Sequence, residues 1–211
     1  MNFEFSEEQL FIREQARNFL NKESTVEVVR SILDTTEPFH RGLWQQIVDL
    51  GWTAMAIPEE YGGLGLGYLE LCVIAEELGR TLAPVPFSSS VYLATEAIKA
   101  WGSDEQKASY LPRLASGELI GTLASSEGPG ALEVNATVDD AGLHGDKIPV
   151  PDGDIADFAV VVARDKSGRT GLYLADLNAS GITRSVLGSM DPSRSQARLS
   201  FDGAAVSALG V

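Results

Sequence analysis

The chain has 211 residues, with 30 acidic and 16 basic side chains, a formal net charge of −14 and a hydrophobic content of 44%. That length buries a sizeable core in one large domain or two modest ones, and the negative charge opposes nonspecific attraction to nucleic acid or an anionic membrane, so neither is expected as a partner. The single cysteine, Cys72, excludes a disulfide framework and a thiolate metal centre and fits a reducing compartment. The opening "MNFEFSEEQL" has no basic segment followed by a long apolar one, and no apolar run reaches membrane-spanning length, which points to a cytoplasmic location.

The first 117 or so residues read as helices. "SEEQ" places Ser6 as an N-cap with Gln9 three positions on, a capping box flanked by the Phe5–Leu10 staple. Ile12, Ala16 and Phe19 then share a face; a short helix follows near Val26 to Leu33, and Leu43, Ile47 and Leu50 line a third that stops at Gly51. Leu71, Ile74, Ala75 and Leu78 give the i, i+3, i+4, i+7 pattern of a fourth, with Gly79 as its C-cap. After the proline-rich "TLAPVPF" (81–87) a helix runs from about Ser89 to Ala100 and ends at Trp101-Gly102. A second capping box, "SDEQ" (103–106), opens the last helix, limited by Pro112 and Gly117.

The stretch "IPEEYGGLGLGYLEL" (57–71) sets a glycine-rich turn before a helix, as a phosphate-binding loop does. A dinucleotide fingerprint needs G-x-G-x-x-G, and from Gly63 the third position is Tyr68, from Gly65 it is Glu70; no Gly-Lys-Ser/Thr follows. Glu59 and Glu60 would repel a phosphate. The turn reads as a connector whose glycines permit positive φ.

From Leu119 the pattern changes to short strand-like runs, clearest at 157–163, 170–177, 181–187 and 196–203, divided by the turn signals "VDDAG", "PDGD" and "DKSG". Consecutive strands with short connections favour an antiparallel barrel or sandwich, so the fold class expected is α+β: an all-helical domain over residues 1–118 and an antiparallel β domain over 119–211.

Other constellations read as structural. His40 and His144 have no partners at metal-ligand spacing. The aspartates of "DGDIAD" (152–157) lack a calcium loop's glycine and distal glutamate and read as a solvated turn. Glu76 and Glu77 are adjacent on one helix, point about 100° apart and belong on its solvated edge rather than in an acid–base pair. Trp44, Trp52 and Trp101 flank helix ends, where large apolar residues close a core.

The order of these features resembles the acyl-CoA dehydrogenases, through "FSEEQLFIREQARNFL", "LGWTAMAIPEEYGGLGLGYLELCVIAEELGR" and "GSDEQKASYLPRLASGEL" (102–119). The resemblance implies a flavoenzyme that uses FAD to desaturate an acyl-CoA thioester. In that family a Thr-Glu-Pro loop followed by Gly-Ser-Asp, and a Trp-Ile-Thr segment, contact the flavin. Here the first is Ser126-Glu127-Gly128, with Glu133 near the expected serine, and the second is Pro149-Val150-Pro151. The implied cofactor-binding residues are Ser126, Glu127, Val150 and Pro151; Ser126 keeps a hydroxyl for the flavin, while a proline offers no aromatic face.

The family's catalytic base, a carboxylate of a C-terminal helical bundle expected beyond Val211, has no counterpart here, so no catalytic residue is assigned within the chain. The resemblance therefore implies a subunit, or a piece of a longer chain, that works as a homo- or hetero-oligomer with another acyl-CoA dehydrogenase chain. "LAPVPFSSSVYLATEA" and "VPDGDIADFAVVVA" resemble the heteromeric branch acting on steroid side chains. The alternatives are a non-catalytic scaffold that stabilises a catalytic partner and an independent acyl-binding module.

Overall fold

A computed structural model describes residues 4–33, 35, 37–131 and 133–211. Among the described residues six α-helices come first: α1 (Glu7–Glu23), α2 (Val26–Leu33), α3 (Arg41–Asp49), α4 (Tyr68–Arg80), α5 (Glu96–Trp101) and α6 (Asp104–Ala115). Eight strands follow: β1 (Gly121–Ala124), β2 (Thr137–Asp139), β3 (Gly142–Pro151), β4 (Phe158–Arg164), β5 (Thr170–Asp176), β6 (Ile182–Val186), β7 (Gln196–Ala204) and β8 (Val206–Ala208). The class read from the sequence, helices then a mainly antiparallel sheet, is the class observed.

Both capping boxes form, Ser6 with Gln9 and Ser103 with Gln106. Gln106 does more than cap, because its side chain also donates to Ala208 O at 2.8 Å and accepts from Gly210 N at 2.8 Å, tying β8 to α6. The segment between α4 and α5 departs from the expected α-helix: Ser88–Thr95 winds as a π-helix, with the Thr95 hydroxyl bonded back to Ser90 O at 2.8 Å. Three helix ends differ too. The fourth helix runs past Gly79 to Arg80, and Pro112 sits inside α6 rather than ending it. Trp101 is 62% exposed and closes no core, whereas Trp44 and Trp52 are buried; Leu50 is half exposed beyond the end of α3.

The glycine turn is a structural connector. Every amide from Tyr61 to Leu66 donates to a backbone carbonyl between Ala54 and Glu59. None is left to cradle a phosphate. Gly63 is fixed by contact, since a Cβ there would lie 1.9 Å from Ile57 O.

The sheet order is β6-β7-β3-β2-β4-β5-β8, with β1 added on β4. Its ladders are antiparallel except where β1 meets β4 and at one β2–β4 pair. The parallel β1–β4 ladder uses the long connection from 125 to 157, which a hairpin turn could not supply. Strand β4 is buried on both faces. Phe158 and Val160 pack with Ile98, Leu111 and Leu114 of the helices, while Ala159, Val161 and Ala163 face the interior of the curled sheet with Leu143, Leu199 and Phe201.

Glu77 corrects the sequence reading. Its side chain is fully buried between α1 and α4, accepting from Arg17 Nη2 at 2.6 Å and Arg80 Nε at 2.8 Å. The Arg17 hydrogen bond, outweighing burial, lowers its pKa below the usual carboxylate value, with Arg80 assisting. Amphipathic patterning missed it because two part-exposed arginines bring the charge inside. Replacing Arg17 or Arg80 singly with Met leaves one cation and is expected to cost about 1 kcal/mol each. The double substitution leaves a bare buried carboxylate and should cost about 3–5 kcal/mol, more than the sum. Urea unfolding of the three variants reads this, and strict additivity would refute it.

Candidate functional site

The segment that leaves β1, residues 125–136, is pinned to β3 at a bulge. The β3–β7 register shifts between Lys147 and Val150, and at that point β3 turns to the loop: Ile148 N donates to Ser126 O at 2.8 Å, and Ile148 bridges Glu127. Pro149, which has no N–H to give a ladder, occupies the bulge and is exposed.

Beneath this loop lies a buried ion pair. Lys147, with no exposed surface, places Nζ 2.6 Å from Glu127 Oε1 and 3.5 Å from Ser125 O. Glu127 also accepts from Asn135 N at 2.7 Å and Ala136 N at 2.9 Å, closing the loop on itself. Burial works to raise the Glu127 pKa, but the lysine and the two amides outweigh it and hold it down at about 2.

The four residues implied for the cofactor fall into different environments. Ser126 is half-buried; its Oγ accepts from Gly128 N at 3.4 Å, and its own O–H stays available to donate. The carboxylate of Glu127 is engaged within the loop, so its part is to shape the backbone around Ser126. Val150 has no exposed surface and packs into the sheet core with Leu199, so its side chain does not face a ligand. Pro151 is half-buried, and its carbonyl accepts from Thr122 Oγ1 at 2.6 Å. Glu133 is exposed on the loop. The residues thus fit a flavin at one edge, through the Ser126 hydroxyl, and offer no ring-stacking face at 149–151.

A second buried pair sits just past the C-terminal end of β3. Asp152, expected in a solvated turn, is 1% exposed with φ +52°, and its carboxylate accepts from Ser89 Oγ and the Arg194 guanidinium. Burial pushes its pKa up, against the pull of Arg194. Arg194 also donates to Ser88 Oγ at 2.8 Å, so the segment before β7 is clamped to the π-helix. Neither Lys147 nor Arg194 was singled out from the sequence. The available signal for Lys147 was a lysine in phase with the buried Leu143, four residues away on one strand.

Three cavities share Tyr92 of the π-helix as a wall. One of about 240 Å³ is lined by Ala75, Leu78, Phe87, Ser88 and Arg194 as well. A second of about 370 Å³ adds Tyr68, Leu71, Cys72 and Glu96. The third, of about 480 Å³, lies against the sheet at Leu123, Val162 and Leu172. Among the described residues no cluster of histidine, cysteine and carboxylates has metal-binding geometry, and His40 instead caps α3 through Leu43 N.

The depressed Glu127 adds stability that is fully present above the ordinary glutamate value of 4.5 and is lost as pH falls through about 2. Lys147→Met removes the main cation, so it should destabilise the neutral protein by about 3–5 kcal/mol, a deficit that shrinks as pH falls through 4.5 because protonation relieves the bare buried carboxylate. Urea titrations across pH check this; an unchanged acid limb would show that the pair does not hold the loop.

Comparison with known proteins gives these features a family. The model of the acyl-CoA dehydrogenase N-terminal domain matches residues 6–118. Mitochondrial isovaleryl-CoA dehydrogenase of Pongo abelii is 33% identical over 170 residues, which are 75% of this chain and 40% of that protein. The Tcur3481–Tcur3483 steroid ACAD superposes with a TM-score of 0.86 at 30% identity, covering 97% of this chain and 57% of that one. The ChsE4–ChsE5 complex of Mycobacterium tuberculosis gives a TM-score of 0.88 at 29% identity, over 100% of this chain and 57% of the other. The chain thus spans about 40% of the length of that curated relative, and it belongs to the acyl-CoA dehydrogenase family.

Proposed function

We propose that this chain is the helical and β portion of an acyl-CoA dehydrogenase, divided at about residue 118, that takes part in FAD-dependent α,β-desaturation of an acyl-CoA thioester. The observation that carries the reading is the Ser126 loop. Its hydroxyl retains an O–H to donate, and its backbone is held from below by Lys147, Glu127 and Ile148. FAD, when bound, supplies the hydride acceptor. The chain's own part is to hold the ring edge at Ser126 and to exclude water from the apolar groove beside it. The base that takes the α-proton comes from outside these 211 residues, from a further segment or a second acyl-CoA dehydrogenase chain; the likeness to a heteromeric complex supports such a partner.

The acyl group belongs in the groove around Tyr92. Hydride transfer needs the acyl β-carbon beside the flavin, and the groove wall at Leu123 is three residues from Ser126, within roughly 10 Å of chain. Two further cavities, beside α1 and α2, are lined by residues of the helical half alone.

One observation favours a scaffold that stabilises a catalytic partner: Val150 is turned into the core and Pro149 gives no stacking face. The two readings differ in colour. Purified with its partner, the dehydrogenase form retains the visible flavin absorbance, and Ser126→Ala, which deletes one hydrogen bond, should lower FAD affinity by about 3- to 10-fold. Equilibrium dialysis measures it. Protein that stays colourless alone and in complex would sink the flavin reading and leave the scaffold.

A further inference from the structure

The helix over residues 88 to 101 changes winding on the way: Ser88–Thr95 is a π-helix, and α5 continues it as an α-helix. A π winding replaces i→i+4 bonds by i→i+5 bonds, is rare, and persists where contacts outside the helix hold it. Here it carries a visible cost. The Tyr92 hydroxyl is buried and, among the described residues, has no hydrogen-bond partner, so it has given up water for nothing. The contacts that offset this come from the β half and fall on three consecutive serines. Arg194 donates to Ser88 Oγ at 2.8 Å, Ser89 Oγ donates to the Asp152 carboxylate, and Gly121 N donates to Ser90 Oγ at 3.3 Å. In an α-helix three adjacent side chains fan through about 200° and cannot all face one neighbour. A π turn takes more residues, so the fan narrows and the three hydroxyls reach the same surface. Inside the segment, Thr95 Oγ1 donates to Ser90 O, five residues back, at 2.8 Å.

We infer that Asp152 and Arg194 form a register latch: they hold Ser88–Thr95 in the π winding, and when the latch opens the segment rewinds as an α-helix and turns the Tyr92 ring. Each α residue turns further about the axis than a π residue, so rewinding rotates Tyr92 relative to Ser88 and reshapes the cavities that its ring walls. The latch has an outside handle. Residues 188–192, just before Arg194, are exposed, so drawing that segment away pulls the guanidinium off Ser88 and acts on the cavity walls. The coupling is reciprocal: whatever fits only the π form of the walls holds the segment before β7 in place. One two-state element, biased from both ends, carries it.

The test is the crystal structure of Arg194→Met, with hydrogen exchange by mass spectrometry on the full chain. The variant should show residues 88–95 bonded i→i+4. Its peptides from 86–101 should exchange about tenfold faster than the parent's, because the lateral contacts are gone, while those of β4 keep the parent's rate. Tyr92→Phe should act in the opposite sense: it deletes the unpaired hydroxyl and with it a cost of the π form, so exchange in 86–101 should slow or stay unchanged. Should Arg194→Met fail to fold, Arg194→Lys takes its place, since an ammonium lacks the planar fork that spans Ser88 and Asp152, and the same readouts decide. A π winding retained in the variant, equal acceleration in 86–101 and β4, or faster exchange in Tyr92→Phe would each overturn the latch. None of these measurements needs FAD or a thioester, so the latch and the proposed function fail separately.

Discussion

Strand β4 is buried on both faces from Phe158 to Val161, and the rest of the chain is arranged around that constraint. Phe158 and Val160 need an apolar cover on one side and Ala159, Val161 and Ala163 on the other. Helices α5 and α6 supply the first and the curl of the sheet over β3 and β7 supplies the second. The helical half and the β half are therefore parts of one packed body, sharing a core that runs from Ala54 and Ile57 through Leu111 and Leu114 to Leu174. The seam is tight. A Cβ on Gly121, the first residue of β1, would come within 2.5 Å of Ala94 Cβ and 2.6 Å of the Phe158 ring, so the π-helix rests directly on β1. The groove beside Tyr92 lies along this seam, where helix and sheet diverge.

Two buried ion pairs then position the segment that leaves β1 and the segment that enters β7, and both hang from β3. Lys147 holds Glu127 and with it the segment leaving β1; Asp152, one residue past the end of β3, holds Arg194 and with it the segment entering β7. Burying charge is costly, and replacing such pairs with apolar residues of similar volume is often neutral for stability. What an apolar contact lacks is direction. Glu127 accepts from three donors and Asp152 from a hydroxyl and a guanidinium, so each fixes a loop backbone in one arrangement. The loops differ in this from the exposed connection at 165–169, which Asp165 ties only to itself through Ser167 and Arg169.

The parts of the fold legible in the sequence were those governed by local rules. Capping boxes at Ser6 and Ser103, the apolar stripe of α4 and the runs that became β4 to β7 depend on near neighbours, and each formed. What stayed hidden depended on contacts between distant residues. Glu77 looked like surface because its two arginines lie 60 residues before it and three after. Asp152 looked like a turn residue because Arg194, 42 positions on, is invisible to any window. The short strands β1, β2 and β8 exist because β4, β3 and β5 offer edges to them, and nothing in three or four residues announces that. At the candidate site, the family pattern pointed to Ser126 and Val150 alike, but the inward turn of Val150 was set by strand alternation after a bulge at Pro149, and the bulge shifts the phase that a simple alternation predicts.

That bulge separates two contacts which the family resemblance treats as one site. Ser126 is placed by Ile148 N, within the bulge, and, through Glu127, by Lys147 just before it; Pro149 shares the bulge, while Val150 and Pro151 come after it and answer to the ladder with β7 and to Thr122. Under the proposed flavin reading, a change at Val150 or Pro151 bears on what a ring would stack on more than on where the Ser126 hydroxyl sits. Under that reading a missing stacking face would weaken the hold on the ring, yet it would not by itself make the chain a scaffold, because the Ser126 hydroxyl keeps an O–H to donate. The balance between the two readings turns on how much of the ring's other face is covered by groups outside these 211 residues.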